Sequence, residues 1–193
     1  MDIRRLLQLI MGALMSYIWG PSLPPDYDVP DEKTGISQRD KDNVQQAWEL
    51  ILKKGVREMG ISLFSSFFEA YPHNQKFFRT FKDTPISQLS QNSLFRAHSS
   101  NIMHAFTGIV GLLDDPEALV ETLLKLGSNH RPRNIGKKPF EEFRAALPLW
   151  LSKELGSQFD KGKEESWDKI LNLAWSIIYQ TLLDEKKQDT KES

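Results

Sequence analysis

The residues from Leu94 to Leu113 constrain the chain more than any other stretch. At about 100° per residue, Leu94, Phe95, Ile102, Ala105, Phe106, Ile109 and Leu113 fall on one side of a helix. His98 sits near the middle of that side, whereas Arg96, Ser100, His104 and Thr107 point away. An apolar stripe this long belongs to a helix that packs into a core. A titratable ring on the stripe needs a partner there, either a protein group or something the protein binds.

The rest of the chain reads the same way. Ser37, three residues before Asp40, has the form of a capping box, followed by a stripe of Val44, Trp48, Ile51 and Leu52. Met59, Leu63, Phe64, Phe67, Phe68 and Tyr71 predict a second helix, with Pro72 either closing it or opening a short turn of helix. Phe77, Phe78 and Phe81 then precede a polar connector, Lys82 to Asn92; from spacing alone these aromatics read as lids on a core. Pro116 opens a helix on which Leu119, Leu123, Leu126 and His130 recur at i, i+4, i+7 and i+11. Pro132 stops it and leaves Arg131 and Arg133 at its rim. Phe140, Phe143, Leu147, Trp150 and Leu151 predict a helix kinked at Pro148, and Ile170, Leu171, Ala174, Ile177, Ile178 and Leu182 predict the last one. No stretch alternates with period two, so the fold class is all-α.

Three regions follow: an extension over 1–36, a helical domain over 37–187 and a polar tail over 188–193. In the extension, Arg4 and Arg5 lead into a mostly apolar run from Leu6 to Trp19, short of the roughly 20 residues of a membrane span. It has the outline of a secretory signal, or of a helix that lies on a membrane through residues 1–20 or packs against another protein, with Tyr17 and Trp19 suited to an interface. Gly20 to Gly35, with four prolines and four acids, reads as a linker.

Composition removes several functions. With 25 basic against 26 acidic residues the chain has no field suited to nucleic acid. It has no cysteine, which excludes disulfides, thiolate metal sites, iron–sulfur clusters and cysteine nucleophiles. That absence fits the cytosol, with membrane association or secretion as the alternatives set by the extension. There is no Gly-rich phosphate loop, G-x-S-x-G or H-E-x-x-H. The carboxylate pairs Asp114-Asp115, Glu141-Glu142 and Glu164-Glu165 read as solvated or as helix N-terminal charge.

A single histidine on an apolar stripe is more often a satisfied core residue than a ligand. Two of the chain's four, His98 and His130, lie on consecutive stripes and can flank a flat apolar group between their helices. No Asp or Glu shares either arc, so a bare metal would be poorly held. A metal that brings its own equatorial ligands needs only axial ones, which describes haem.

Residues 37 to 185 resemble the globins. Trp48, Gly60, Pro72 and the Phe78-x-x-Phe81 pair fall in the globin order. So do Phe95-Arg96-Ala97-His98 and Leu126-Gly127-Ser128-Asn129-His130-Arg131, with Phe140 and Phe143 after them. The resemblance implies a globin fold of about seven to eight helices around a pocket for haem b, iron protoporphyrin IX. It makes His130 the proximal iron ligand, its other ring N–H bonded to a carbonyl near Leu126, and His98 the distal residue, acting directly or through a bound ligand. Phe78 and Phe81 would wedge the haem, Ile102 and Phe64 would line the gas site, and Arg131 and Arg133 are candidates to meet the propionates. Phe64 is bulkier than the leucine of muscle globins, as in neuroglobin-like proteins and several invertebrate globins.

The function implied is reversible O₂ binding as carrier, store or sensor, with NO and CO as further ligands. The alternative is a haem enzyme with bis-histidyl, six-coordinate iron, performing NO dioxygenation, nitrite reduction or peroxidase-like chemistry. That chemistry would need a separate reductase, because the chain has no flavin or nicotinamide domain.

Overall fold

The computed structural model describes Arg5 and residues 23–133 and 135–183. Over them run six α-helices: α1 (Gln38–Lys53), α2 (Val56–Ala70), α3 (Ser93–Gly111), α4 (Pro116–His130), α5 (Lys137–Leu155) and α6 (Lys161–Leu183). Two six-residue 3₁₀ helices, Pro72–Phe77 and Ile86–Gln91, lie between α2 and α3. There is no strand among the described residues. None of the described helices is long and apolar enough to cross a membrane. The readings placed on residues 1–20 and 188–193 lie outside the described residues, Arg5 apart.

α1 begins at the expected capping box, with Ser37 Oγ accepting from the Asp40 N–H at 3.2 Å and Asp40 Oδ2 accepting from the Ser37 N–H at 3.0 Å. The same carboxylate accepts from Ser166 Oγ at 2.9 Å and from Lys169 Nζ at 2.9 Å, which ties the start of α1 to α6. Residues 23–35, the described part of the stretch read as a linker, form turns against α1. The Tyr27 hydroxyl donates to Asp42 at 2.8 Å, the Arg39 N–H donates to the Tyr27 carbonyl at 3.1 Å, and the Arg39 guanidinium pairs with Asp28 while lying over the Tyr27 ring. The prolines and acids there serve turn geometry and helix contact, a use that composition alone does not distinguish from a linker.

α3 is capped by Asn92, whose side chain accepts from the N–H groups of Leu94 and Phe95. It turns two adjacent faces inward. Ser99 and Met103 are buried against the other helices, Phe106 and Val110 are buried at the edge of a cavity, and His98, Ile102, Ala105 and Ile109 line that cavity from the neighbouring arc. Leu94 sits at the outer edge of that second arc and is 54% exposed, against the sequence expectation. Thr107, expected to point away, accepts a bond from the Trp48 indole N–H at 3.0 Å.

Two glycines set the spacing of the helices. A Cβ on Gly60 of α2 would lie 2.6 Å from the Ser99 carbonyl oxygen of α3. One on Gly127 of α4 would lie 2.0 Å from Thr181 Oγ1 and 3.0 Å from the Ile178 carbonyl oxygen of α6. Only hydrogen allows these crossings, and they place the two histidine-bearing helices relative to their supports. The polar connector is also more ordered than its composition implies: Leu89 is fully buried, and the Gln75 side chain donates at 2.7 Å to the carbonyls of both Phe81 and Thr84. That grip fixes the loop carrying Phe78 and Phe81.

Candidate functional site

A cavity of about 900 Å³ opens between α2, the 78–81 loop and helices α3 to α6. Its size falls within the range of ligand and cofactor sites. Phe64, Phe78, Phe81, His98, Ile102 and His130, all singled out from sequence, line it together. Arg131 does not line it, and Arg133 does. The helix turns into the 3₁₀ segment Arg131–Arg133 immediately after His130, which swings the second arginine to the mouth.

His130 is the last residue of α4, and its Nδ1 lies 2.7 Å from the Leu126 carbonyl oxygen. A carbonyl can only accept, so Nδ1 carries the proton and, in the neutral ring, the lone pair is on Nε2. Burial lowers the pKa of His130 against the opposing pull of the Leu126 bond, with the Arg133 charge adding to the lowering. The ring meets Phe140 edge-on at 5.1 Å, which fixes its plane.

His98 is held differently. The rings of Phe64, Phe78 and Phe81 surround it at centroid distances of 5.2, 5.0 and 6.0 Å. Its Nε2 is buried and has no hydrogen-bond partner in the protein. Burial, then the charges of His130 and Arg133, push its pKa down to about 4, so the ring is neutral at pH 7. The Phe78 and Phe81 rings stack on each other at 5.1 Å and form one wall of this cage.

The lining also contains polar residues that the sequence reading passed over. Asn74 is 1% exposed and donates from Nδ2 to Glu142 at 2.7 Å, while its Oδ1 has no partner. Glu142, expected to be solvated, also meets His73 Nε2 at 2.8 Å. Asn129, Lys76, Arg79, Thr80 and Arg133 are also in the lining, and no Asp or Glu is among the lining residues. Asn74 follows Pro72 in a stretch without apolar periodicity, so no helical pattern marks it as buried. No cluster of three metal-binding side chains occurs among the described residues. The lining offers two histidine rings and several cations to an apolar, flat group with anionic edges.

Comparison with known proteins agrees with this geometry. The globin family model matches residues 61–178. The chain is 31% identical over 130 residues to globin CTT-VIII of Chironomus thummi thummi, covering 66% of this chain and 85% of that protein. It is 23% identical over 141 residues to a globin of Tritia mutabilis, covering 72% of this chain and 96% of the other. Among solved structures, a Drosophila melanogaster globin superposes with a TM-score of 0.69 at 25% identity, covering 75% of this chain and 94% of that one. A hexacoordinated haem protein from an anhydrobiotic tardigrade superposes at 0.72 with 18% identity, covering 79% and 98%, and shows the shared fold. The family match over more than half of the chain and the helical architecture point the same way: the chain belongs to the globin family and is a haem globin.

Proposed function

We propose that the chain binds haem b in this cavity with His130 Nε2 as proximal ligand and His98 on the opposite side, and that it holds O₂ reversibly. The tautomer of His130 carries the reading. Its Nδ1–H is committed to the Leu126 carbonyl, so the ring offers one lone pair in a fixed direction. The other lining residues fit the group: His98 Nε2 is a buried nitrogen with no partner, the walls are aromatic, and the charged residues lining the cavity are all cations. Haem supplies an iron that accepts a diatomic ligand and brings its own four equatorial nitrogens.

The chain's residues then have separate tasks. His130 would hold the group through Nε2, its ring direction set by the Leu126 carbonyl. Phe78 and Phe81, fixed through Gln75, wedge the flat group and exclude water from its edge. Ile102 and Phe64 crowd the side that faces His98 and set the room left for O₂, NO or CO. His98, neutral at pH 7, donates a hydrogen bond to a polar diatomic ligand beside it. A charge-assisted bond of this kind is worth about 1.5–3 kcal/mol, one to two decades in affinity.

A second reading follows from the same unpartnered Nε2, in which His98 itself takes the sixth position on iron when no gas is present. The gas-free ferrous absorption spectrum separates the two: sharp, split visible bands for six-coordinate iron, one broad band for five-coordinate. For either reading, His98→Leu retains haem. If His98 only hydrogen-bonds the ligand, the variant releases O₂ about 10- to 100-fold faster. An unchanged release rate and an unchanged spectrum would remove His98 from the site.

A further inference from the structure

Three buried polar atoms with no partner belong to described residues that line the cavity: His98 Nε2, Trp167 Nε1 and Asn74 Oδ1. The haem reading uses the first. Asn74 is the one held by a hydrogen bond at the other end of the same group. It sits in the 3₁₀ segment Pro72–Phe77 at 1% exposure, and its Nδ2 donates to Glu142 Oε2 at 2.7 Å. His73 Nε2 meets the same oxygen at 2.8 Å, and Lys138 Nζ lies 3.8 Å from Oε1. Burial would raise the Glu142 carboxyl, but the bonds from Asn74 and His73 and the charges of His73 and Lys138 outweigh it and hold its pKa below the usual range. A carboxylate only accepts, so the amide nitrogen faces Glu142, and Glu142 is not among the lining residues. The oxygen is the end left toward the cavity.

The wall around this end is aromatic. The Asn74 N–H donates to the Tyr71 carbonyl, and the Tyr71 N–H to that of Phe67. Phe143 follows Glu142 on α5 and meets the Phe67 ring edge-on at 5.2 Å, and both rings line the cavity. An acceptor among apolar rings, with a carboxylate behind it, suits a neutral donor and repels an anion. Neither the group nor the gases proposed above supply that donor. The edge of haem b carries methyl, vinyl and ionised propionate groups, and O₂, NO and CO have no hydrogen. We infer that Asn74 Oδ1 anchors a second ligand site in the cavity, for a small neutral molecule with an O–H or N–H donor on an apolar body. The site rests on the haem reading in one respect, that it operates beside the haem.

The test compares pyrrole with furan by ligand-observed NMR titration of the full-length chain, haem-free and haem-loaded. The two rings match in size and aromaticity, only pyrrole donates, and its nitrogen has no free lone pair for iron. Pyrrole should bind the parent about tenfold more tightly than furan in both states. Asn74→Leu should bring the two rings within about twofold of each other by weakening pyrrole. Glu142→Gln, which keeps an acceptor for Asn74 Nδ2 without the charge, should fall between, so that the comparison survives if leucine disturbs packing. Equal affinities of the two rings for the parent would overturn the site, since an ordered water alone would then satisfy Asn74. So would a pyrrole preference unchanged in Asn74→Leu, or pyrrole binding lost when haem is loaded. A chain that prefers pyrrole but takes up no haem would instead overturn the haem reading and leave the acceptor site standing.

Discussion

At the scale of single residues, neighbouring side chains can be told apart by what each atom meets. Gly60 and Ser99 face each other across the α2–α3 crossing, yet their substitutions should behave oppositely. Gly60→Ala places a Cβ 2.6 Å from a backbone oxygen that cannot turn aside, and the overpacking should cost about 1–3 kcal/mol in urea unfolding. Ser99→Ala removes a buried hydroxyl that has no partner, and should be neutral or slightly stabilising. Equal losses for the two would mean that the helices do not approach as closely as described. The histidines divide similarly. His130 spends one nitrogen on Leu126 and offers the other, whereas His98 sits in a cage of phenylalanines with Nε2 unpaired.

At the scale of elements, the crossings hold the site in shape. Gly127 lets α4 lie against α6 three residues before His130, and Gly127→Ala would drive its methyl onto Thr181 Oγ1 and the Ile178 carbonyl oxygen. Pushing α4 outward moves the His130 ring, so under the proposed ligation haem loss to an acceptor protein should quicken more than unfolding does. Thr181→Ala in the same chain should recover part of that loss, as expected for two groups in contact. The clamp between α1 and α6 is a matter of charge. Burial alone would raise the Asp40 carboxyl, but bonds from Ser37, Lys169 and Ser166 outweigh it and hold its pKa below the usual range. The folded state therefore favours the carboxylate, and its contribution is complete above the carboxyl pKa of the unfolded chain. It is lost as pH falls through the lower folded value. Asp40→Ala should cost about 2 kcal/mol at pH 7, through the lost cap and its charge-assisted bonds, and much less in strong acid. A loss independent of pH would show that the carboxylate charge contributes nothing.

At the scale of the whole molecule, helical period and capping made most of the architecture legible. The capping box at Ser37, the break at Pro116 and the stripe ending at His130 all lie where spacing puts them. Six of the seven cofactor-contact residues expected from sequence line one cavity: Phe64, His98, Ile102 and His130 from helices packed around it, and Phe78 and Phe81 from the loop that Gln75 holds. What spacing does not carry is anything fixed by contacts distant in sequence. Leu94 is outward because α3 has two inward faces, not one broad one. Of the two arginines expected at the rim, Arg133 lines the cavity and Arg131 does not, where the chain tightens into a 3₁₀ turn after His130. Asn74 and Glu142 bond across 68 residues, and residues 23–36 fold back onto α1; no local pattern encodes either.

The central claim is that this cavity takes up haem through His130. It is tested most directly by titrating haemin into the haem-free chain and into His130→Ala, following the Soret band. The parent should saturate at one haem per chain with a ligated spectrum, while the variant should bind weakly and regain that spectrum only with added imidazole. A parent chain that stays colourless, or a variant that binds with an unaltered spectrum and affinity, would contradict it.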